Sequence, residues 1–261
     1  MPETETVEVR MRVAARPSTL FAFFSDPGRF RLWMGETSSL EPTVGGALSM
    51  PSPDGDRALG SVLQLVPDQR IVFSWGFEGG KHGMAPGSTQ VSIDLTPIPS
   101  GTLVTLRHTG IPNAQARRDH AMGWRHYLSV LGNAAASASI RADAAVDAYQ
   151  ACWAETDATK RARLLETCWA PEAIFRDAQG YAEGRGELCD YIGAAQRFAA
   201  NVRFEREGPV LVAHGFVTYR WRFVAPDGSV VMRGSNFGEL SPEGHFLSMA
   251  GFWEPARPPA G

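Results

Sequence analysis

The sequence predicts an α+β protein of two domains in tandem, and three observations predict it. At 261 residues the chain exceeds the roughly 100 to 200 residues of an ordinary domain. Both halves mix helical periodicity with two-residue alternation, but in different orders, and no internal repeat aligns them. Between them, Gly132–Ala145 is rich in Ala and Ser, charged only at Arg141 and Asp143, and without an apolar pattern. A joint near residue 140 sets the expected domains at 1–138 and 143–256.

The first half opens with a half-buried strand in which Val7, Val9, Met11 and Val13 share one face and Glu8, Arg10 and Arg12 the other. Pro17 starts a short helix through Phe24, and Asp26-Pro27 ends it and starts another carrying Phe30, Leu32 and Trp33. From Leu40 to His108 strands alternate with turns at Gly45-Gly46, Asp54-Gly55, Gly79-Gly80 and Ser100-Gly101. The clearest strands are Gly60–Val66, Ile71–Phe77, Thr89–Thr96 and Thr102–His108. A long helix over Asn113–Ala136 then places His120, Trp124, Tyr127, Leu128 and Leu131 on one face. This order implies a curved antiparallel sheet gripping one helix, with a gap between them.

The second half reads as helices over Ala144–Glu155, Thr159–Trp169 and Glu187–Ala200, with a short strand Ala173–Asp177 between the second and third. Strands follow over Val202–Arg206, Val210–Val212, Phe216–Val224, Val230–Leu240 and Phe246–Glu254, with hairpin turns at Pro226-Asp227-Gly228 and Ser241–Gly244. Three helices before a bent antiparallel sheet make a cone with an open mouth. The Pro-rich tail Pro255–Gly261 is expected to fray.

Composition narrows the function. With 44% hydrophobic and 10% aromatic residues, there is apolar material for two bulky-sided cores. Split at residue 140, Lys and Arg number 12 and 13 against 12 and 16 Asp and Glu. The densest basic cluster is Arg117-Arg118, so nucleic acid, which needs clustered cations, is not an expected partner. Cys152, Cys168 and Cys189, 16 and 21 residues apart, fit neither a zinc spacing nor a disulfide framework and read as buried free thiols in a reducing cytoplasm. The acidic start Met1–Glu5 lacks the apolar core of a signal peptide, and no run reaches the ~18 apolar residues of a membrane span. Nucleophile-elbow, Walker, dinucleotide and metal-ligand spacings are missing, so no cofactor and no metal are expected.

Residues 5–137 resemble the activator of heat-shock-protein-90 ATPase homologue family, a branch of the START-like, or SRPBCC, helix-grip superfamily. The resemblance rests on Leu20–Pro27 with Trp33, the Gly45-Gly46 turn, Gly60–Leu63 leading to Ile71–Trp75, and His120-x-x-Gly123-Trp124-x-x-x-Leu128. Residues 144–254 resemble SnoaL-like members of the nuclear transport factor 2-like superfamily, whose fold is a cone-shaped α+β barrel. There the matching pieces are Trp169–Ala173 running into Phe175-x-Asp177, Gly184-x-Gly186 before Tyr191-Ile192, Gly234–Phe237 and Gly251-Phe252. Both resemblances imply a pocket and leave its chemistry open. The chaperone role of the first family does not follow, because only a single helix-grip module is matched.

The expected function is the binding of a small apolar or aromatic organic molecule in one or both cavities. The resemblance of the second half also implies an alternative, an isomerase, cyclase or hydratase working by acid/base chemistry. Its candidates are Asp177, Tyr181 and His214, with Trp221 as a wall and Asn236 as a ligand contact. Asp177 reads equally as a turn cap, and His214 in Ala213-His214-Gly215 as an exposed turn residue. Asn236 stands where Asp is common in SnoaL-like sequences, and an amide cannot take up a proton. In the first half, Trp33, Trp75, Phe77, His120 and Trp124 read either as core or as the lining of one cavity. Gly123 reads as a site of close approach between helix and sheet or as plain packing. A third alternative is a homodimer formed through the outer face of the second sheet.

Overall fold

The computed structural model describes residues 6–52, 55–198 and 201–254, and the chain divides into two compact units, 1–139 and 140–261. The fraying tail, Asp54 of the Asp54-Gly55 turn and the Ala200 end of the third helix of the second half lie outside the described residues.

In the first unit, β1 (Thr6–Val13) buries Val7, Val9 and Val13. Helix α1 (Pro17–Ser25) carries Pro at its first position, and α2 (Pro27–Met34) is capped by Asp26, whose carboxylate accepts the Gly28 and Arg29 N–H at 2.7 and 3.2 Å. Strands β2 (Ser39–Leu40), β3 (Ala47–Pro51), β4 (Arg57–Val66), β5 (Arg70–Phe77), β6 (Thr89–Ile98) and β7 (Gly101–Thr109) follow. The seven strands pair antiparallel in the order β1-β7-β6-β5-β4-β3-β2. Register shifts between Val62 and Gln64, so Leu63 is the extra residue of a bulge and stands 44% exposed.

Helix α3 (Ala114–Ser139) is gripped by this sheet, burying Ala116, His120, Trp124, Leu128, Leu131 and Ala135 along one stripe. It runs three residues beyond the expected Ala136. The Ala-rich stretch read as a joint is helical on both sides of residues 140 and 141, because Ala is the strongest helix former even without an apolar pattern. The first unit is a helix-grip domain.

The second unit begins with α4 (Ala142–Ala154) and α5 (Ala158–Cys168), the latter capped by Asp157 on the Lys160 N–H at 2.9 Å. Strand β8 (Trp169–Arg176) starts four residues earlier than its alternation suggested, and β9 (Tyr181–Glu183) is a short strand that composition did not announce. After α6 (Gly184–Phe198) come β10 (Arg203–Ala213), β11 (Phe216–Val224), β12 (Val230–Leu240) and β13 (Phe246–Trp253). The two strands expected over 202–212 are one, with a register shift between Glu207 and Leu211 that breaks the alternation. Sheet order is β10-β11-β12-β13-β8-β9, parallel only between β13 and β8. The unit is a cone-shaped α+β barrel.

Two features hold its helices together. Arg161, 4% exposed, gives its guanidinium to the Cys189 and Glu155 carbonyls at 3.1 and 2.9 Å and to Gln196 Oε1 at 2.9 Å, tying α5 to α6. Beneath it the Cys152 and Cys168 sulfurs lie 3.8 Å apart as free, buried thiols, as Cys189 also is. The hydrogen bond between the pair and their burial push the Cys152 thiol up.

Candidate functional site

The second unit encloses a cavity of about 510 Å3. Helix periodicity places Tyr149 and Trp153 of α4, one turn apart, on its wall, and strand alternation places Trp221 and Phe223 of β11 opposite. Phe175, Tyr191 and Phe204 complete the aromatic lining. These rings touch in series: Trp153 stacks on Phe204 at 5.7 Å and 27°, Phe204 meets Phe223 at 5.4 Å, and Phe175 meets Tyr191 at 5.2 Å.

Asp177 follows β8 and lines the cavity. One carboxylate oxygen accepts the Gln179 and Gly180 N–H, both at 2.8 Å, and the other accepts the Tyr191 hydroxyl at 2.6 Å. Burial first, and the bond to Asp177 second, push the Tyr191 phenol above its usual range, so it remains a donor. The pairing depends on Gly180, where a Cβ would lie 2.1 Å from the Tyr191 ring. Turn cap and cavity residue are thus one and the same side chain.

Asn236 is buried beside Gly251, directly across from Tyr219 in the β11–β12 register. Its Oδ1 accepts the Trp221 indole N–H at 2.9 Å, and its Nδ2 donates to the Tyr219 hydroxyl at 2.9 Å. The amide aligns one wall ring and retains one N–H. The Trp221 ring lies over Gly234, where a Cβ would meet it at 2.4 Å. Burial raises the Tyr219 phenol.

Tyr181 and His214 stand apart from this site. Tyr181 is 55% exposed and pairs with Arg176, whose guanidinium lies 5.5 Å from its ring. Side chains of directly opposed strand residues share a face, and Arg176 alternates away from Phe175 and Asp177, so Tyr181 is on the outer surface. His214 is exposed at the β10–β11 hairpin tip with φ of 54°. The tyrosine that meets Asp177 is Tyr191 rather than Tyr181. Its place in the helix after Gly184-x-Gly186 was visible, but its pairing with Asp177 is a tertiary contact.

A second cavity, of about 400 Å3, lies in the first unit and is lined by Trp75, Phe77, His120 and Trp124. Trp33 does not reach it: its indole N–H bonds the Phe23 carbonyl at 3.3 Å and its ring packs edge-on against Phe24 at 5.1 Å, as core. Gly123 makes no close approach to the sheet, because a Cβ there would meet nothing within 4 Å, and it lines the cavity instead.

Behind this lining lies His108, which sequence reasoning passed over as the end of a strand. Its Nδ1 accepts the Trp124 indole N–H at 3.1 Å, and its Nε2 lies 2.8 Å from Thr89 Oγ1. An indole only donates, so the His108 proton is on Nε2; Thr89 accepts it and donates onward to the Trp75 carbonyl at 2.8 Å. Burial, and secondarily the neighbouring His120, depress His108 to about 3. His120 donates Nδ1–H to the Ala116 carbonyl at 2.8 Å, with its ring 5.0 Å from His108 and 5.7 Å from His82. Burial lowers it, against the bond to Ala116, which raises it.

Among the described residues no three His, Cys, Asp or Glu side chains converge as metal ligands, and no helix is long and apolar enough to cross a membrane.

Residues 14–136 match the family model described as activator of Hsp90 ATPase homolog 1-like protein. Among solved structures, an AHSA1-like protein from Rhizobium etli is similar at 36% identity over 52% of this chain and 84% of that one, with a TM-score of 0.41. A protein of the SnoaL-like family from Agrobacterium tumefaciens is similar at 27% identity over 43% of this chain and 97% of that one, with a TM-score of 0.42. The Aha1 dimer from Colwellia psychrerythraea is similar at 18% identity over 50% of this chain and 95% of that one, with a TM-score of 0.43. A search of curated proteins found no match.

Proposed function

We propose that the protein, whose residues 14–136 match the activator of Hsp90 ATPase homolog 1-like family model and whose second domain is a cone-shaped α+β barrel, binds a small, mainly apolar organic molecule in that second domain. The observation that carries this reading is the cavity of about 510 Å3, within the ~300 to 1,000 Å3 typical of ligand sites. Aromatic rings supply its area, while Asp177, Tyr191 and Asn236 supply a few convergent polar atoms that orient an occupant. The protein acts in the cytoplasm, where its buried thiols stay reduced.

The test is native mass spectrometry of protein purified from its own host, with the neutral fluorescent probe N-phenyl-1-naphthylamine as a titrant of the emptied protein. A retained small molecule and saturable probe binding are expected. The absence of both a retained molecule and saturable probe binding would end the reading.

A second reading, acid/base catalysis as in an isomerase, cyclase or hydratase, is favoured by the Asp177–Tyr191 contact at 2.6 Å on the cavity wall. Asp177 would take the proton from a bound C–H or O–H acid while Tyr191 holds the carboxylate in place. Deuterium uptake from D2O into the retained molecule, abolished in Asp177→Asn, supports it; uptake unchanged in that variant removes it.

The outer face of the second sheet favours self-association. There Phe216 and Phe237 stack at 5.4 Å and 15°, with Phe252 and Leu211 59% and 60% exposed. Sedimentation is expected to show a dimer that Phe237→Lys dissociates; a monomer at micromolar concentration overturns this.

A further inference from the structure

The cavity of the second domain joins eight aromatic side chains to a single charge. Besides Asp177, its polar lining residues are the neutral Gln179, Gln196 and Asn236 and two tyrosines, and no Lys, Arg or His stands among its described lining residues. The three donors on the Asp177 carboxylate are themselves neutral: two backbone N–H groups and the Tyr191 phenol. The adjacent Arg176 does not offset the charge from within, since its guanidinium lies over the Tyr181 ring on the outer face of the sheet.

An aromatic ring carries negative potential on its face, so rings grouped around a hollow favour a cation there, and favour it most when the cation is poorly hydrated. A carboxylate at the same wall adds an attraction of the same sign, strengthened by the apolar surroundings. Tyr191 couples the two elements, with its hydroxyl on Asp177 and its ring 5.2 Å from Phe175 and 6.3 Å from Trp153. An anionic occupant would meet this carboxylate with no cation to receive it among the described lining residues, and a neutral one would gain nothing from its charge.

We infer that the molecule held in the second domain carries an organic ammonium group, a substituted or quaternary amine on an apolar body. This rests on the reading of the cavity as a ligand site and names the class of ligand that its walls select. The ammonium contacts the aromatic faces, Asp177 supplies the counter-charge, and the apolar remainder fills the hollow.

The experiment compares benzyltrimethylammonium with its uncharged carbon isostere, neopentylbenzene, and with the anion 3-phenylpropanoate. Each is scored by displacement of N-phenyl-1-naphthylamine, and the ammonium also by direct calorimetric titration. The ammonium is expected to bind about tenfold or more tighter than the isostere, and the anion not at all. Asp177→Asn should erase most of that preference, and Phe204→Leu should weaken the ammonium more than the isostere, with far-UV circular dichroism verifying the fold of each. Equal binding of ammonium and isostere, or a preference that survives both substitutions, overturns the inference. If the naphthylamine binds but the ammonium has no advantage, the cavity remains a ligand site of another class. If the ammonium fails in the calorimeter and the naphthylamine fails too, both readings fall.

Discussion

The two cavities are of similar size, about 400 and 510 Å3, but differ in where their polar groups turn. In the first domain two imidazoles, His108 and His120, are buried, while Lys81, His82, Asp119 and His126 also line the hollow. His108 has both nitrogens occupied by Trp124 and Thr89, and His120 bonds its own helix at Ala116. In the second domain a carboxylate stands on the wall, held only by neutral donors. A hollow serves recognition when valences remain on its surface, whereas polar groups satisfied behind the lining serve the fold. The proposed ligand site is the second-domain cavity, whose wall carries a carboxylate held by neutral donors.

The largest effect that tests this contrast is acid sensitivity. The folded His108 value of about 3 lies below the ordinary 6.5, so between those values the unfolded chain binds the extra proton. The contribution is complete above about pH 6.5 and is lost as pH falls toward 3, at about 1.4 kcal/mol per unit and of order 5 kcal/mol in all. Chemical denaturation across that range should show this slope, and His108→Gln should flatten it. An unchanged slope in the variant would deny His108 its structural role.

Next in size is the contrast between filling either hollow. Ala195→Trp on α6 should reduce naphthylamine affinity by about a hundredfold by occupying the second-domain cavity, whereas Gly123→Trp on α3 should leave it nearly unchanged. The reverse pattern would move the ligand site to the first domain. Smallest is Gly123→Ala. Its Cβ meets open space in mid-helix, so the change should stabilise the first domain by about 1 kcal/mol in thermal melts. A loss of stability would mean that the helix needs the glycine for a contact.

Much of the fold was legible because burial imposes periodicity. Val7, Val9 and Val13 alternate, α3 repeats its apolar stripe, and the strands of both sheets appear within a few residues of their observed limits. What escaped was local irregularity. The extra residue at Leu63, the register shift after Glu207 and the three-residue β9 each break the two-residue rule. For the site, the sequence pointed to Asp177, Trp221 and Asn236, which the fold brings to one cavity. It offered no sign of the Tyr191 hydroxyl reaching Asp177 over 14 residues, nor of Trp124 meeting His108 over 16, since nothing local encodes either approach. Tyr181 and His214 stand away from that cavity, because a strand side and a hairpin tip decide where a side chain points.

The row that runs from Trp124 through His108 and Thr89 to the Trp75 carbonyl has a fixed direction. Its first member can only give a hydrogen and its last can only receive one, so no member can be turned around. An incoming proton therefore has one landing place, His108 Nδ1, and reaches it only by evicting the Trp124 indole. Protonation of His108 thus costs the hydrogen bond that ties α3 to β7 through Trp124.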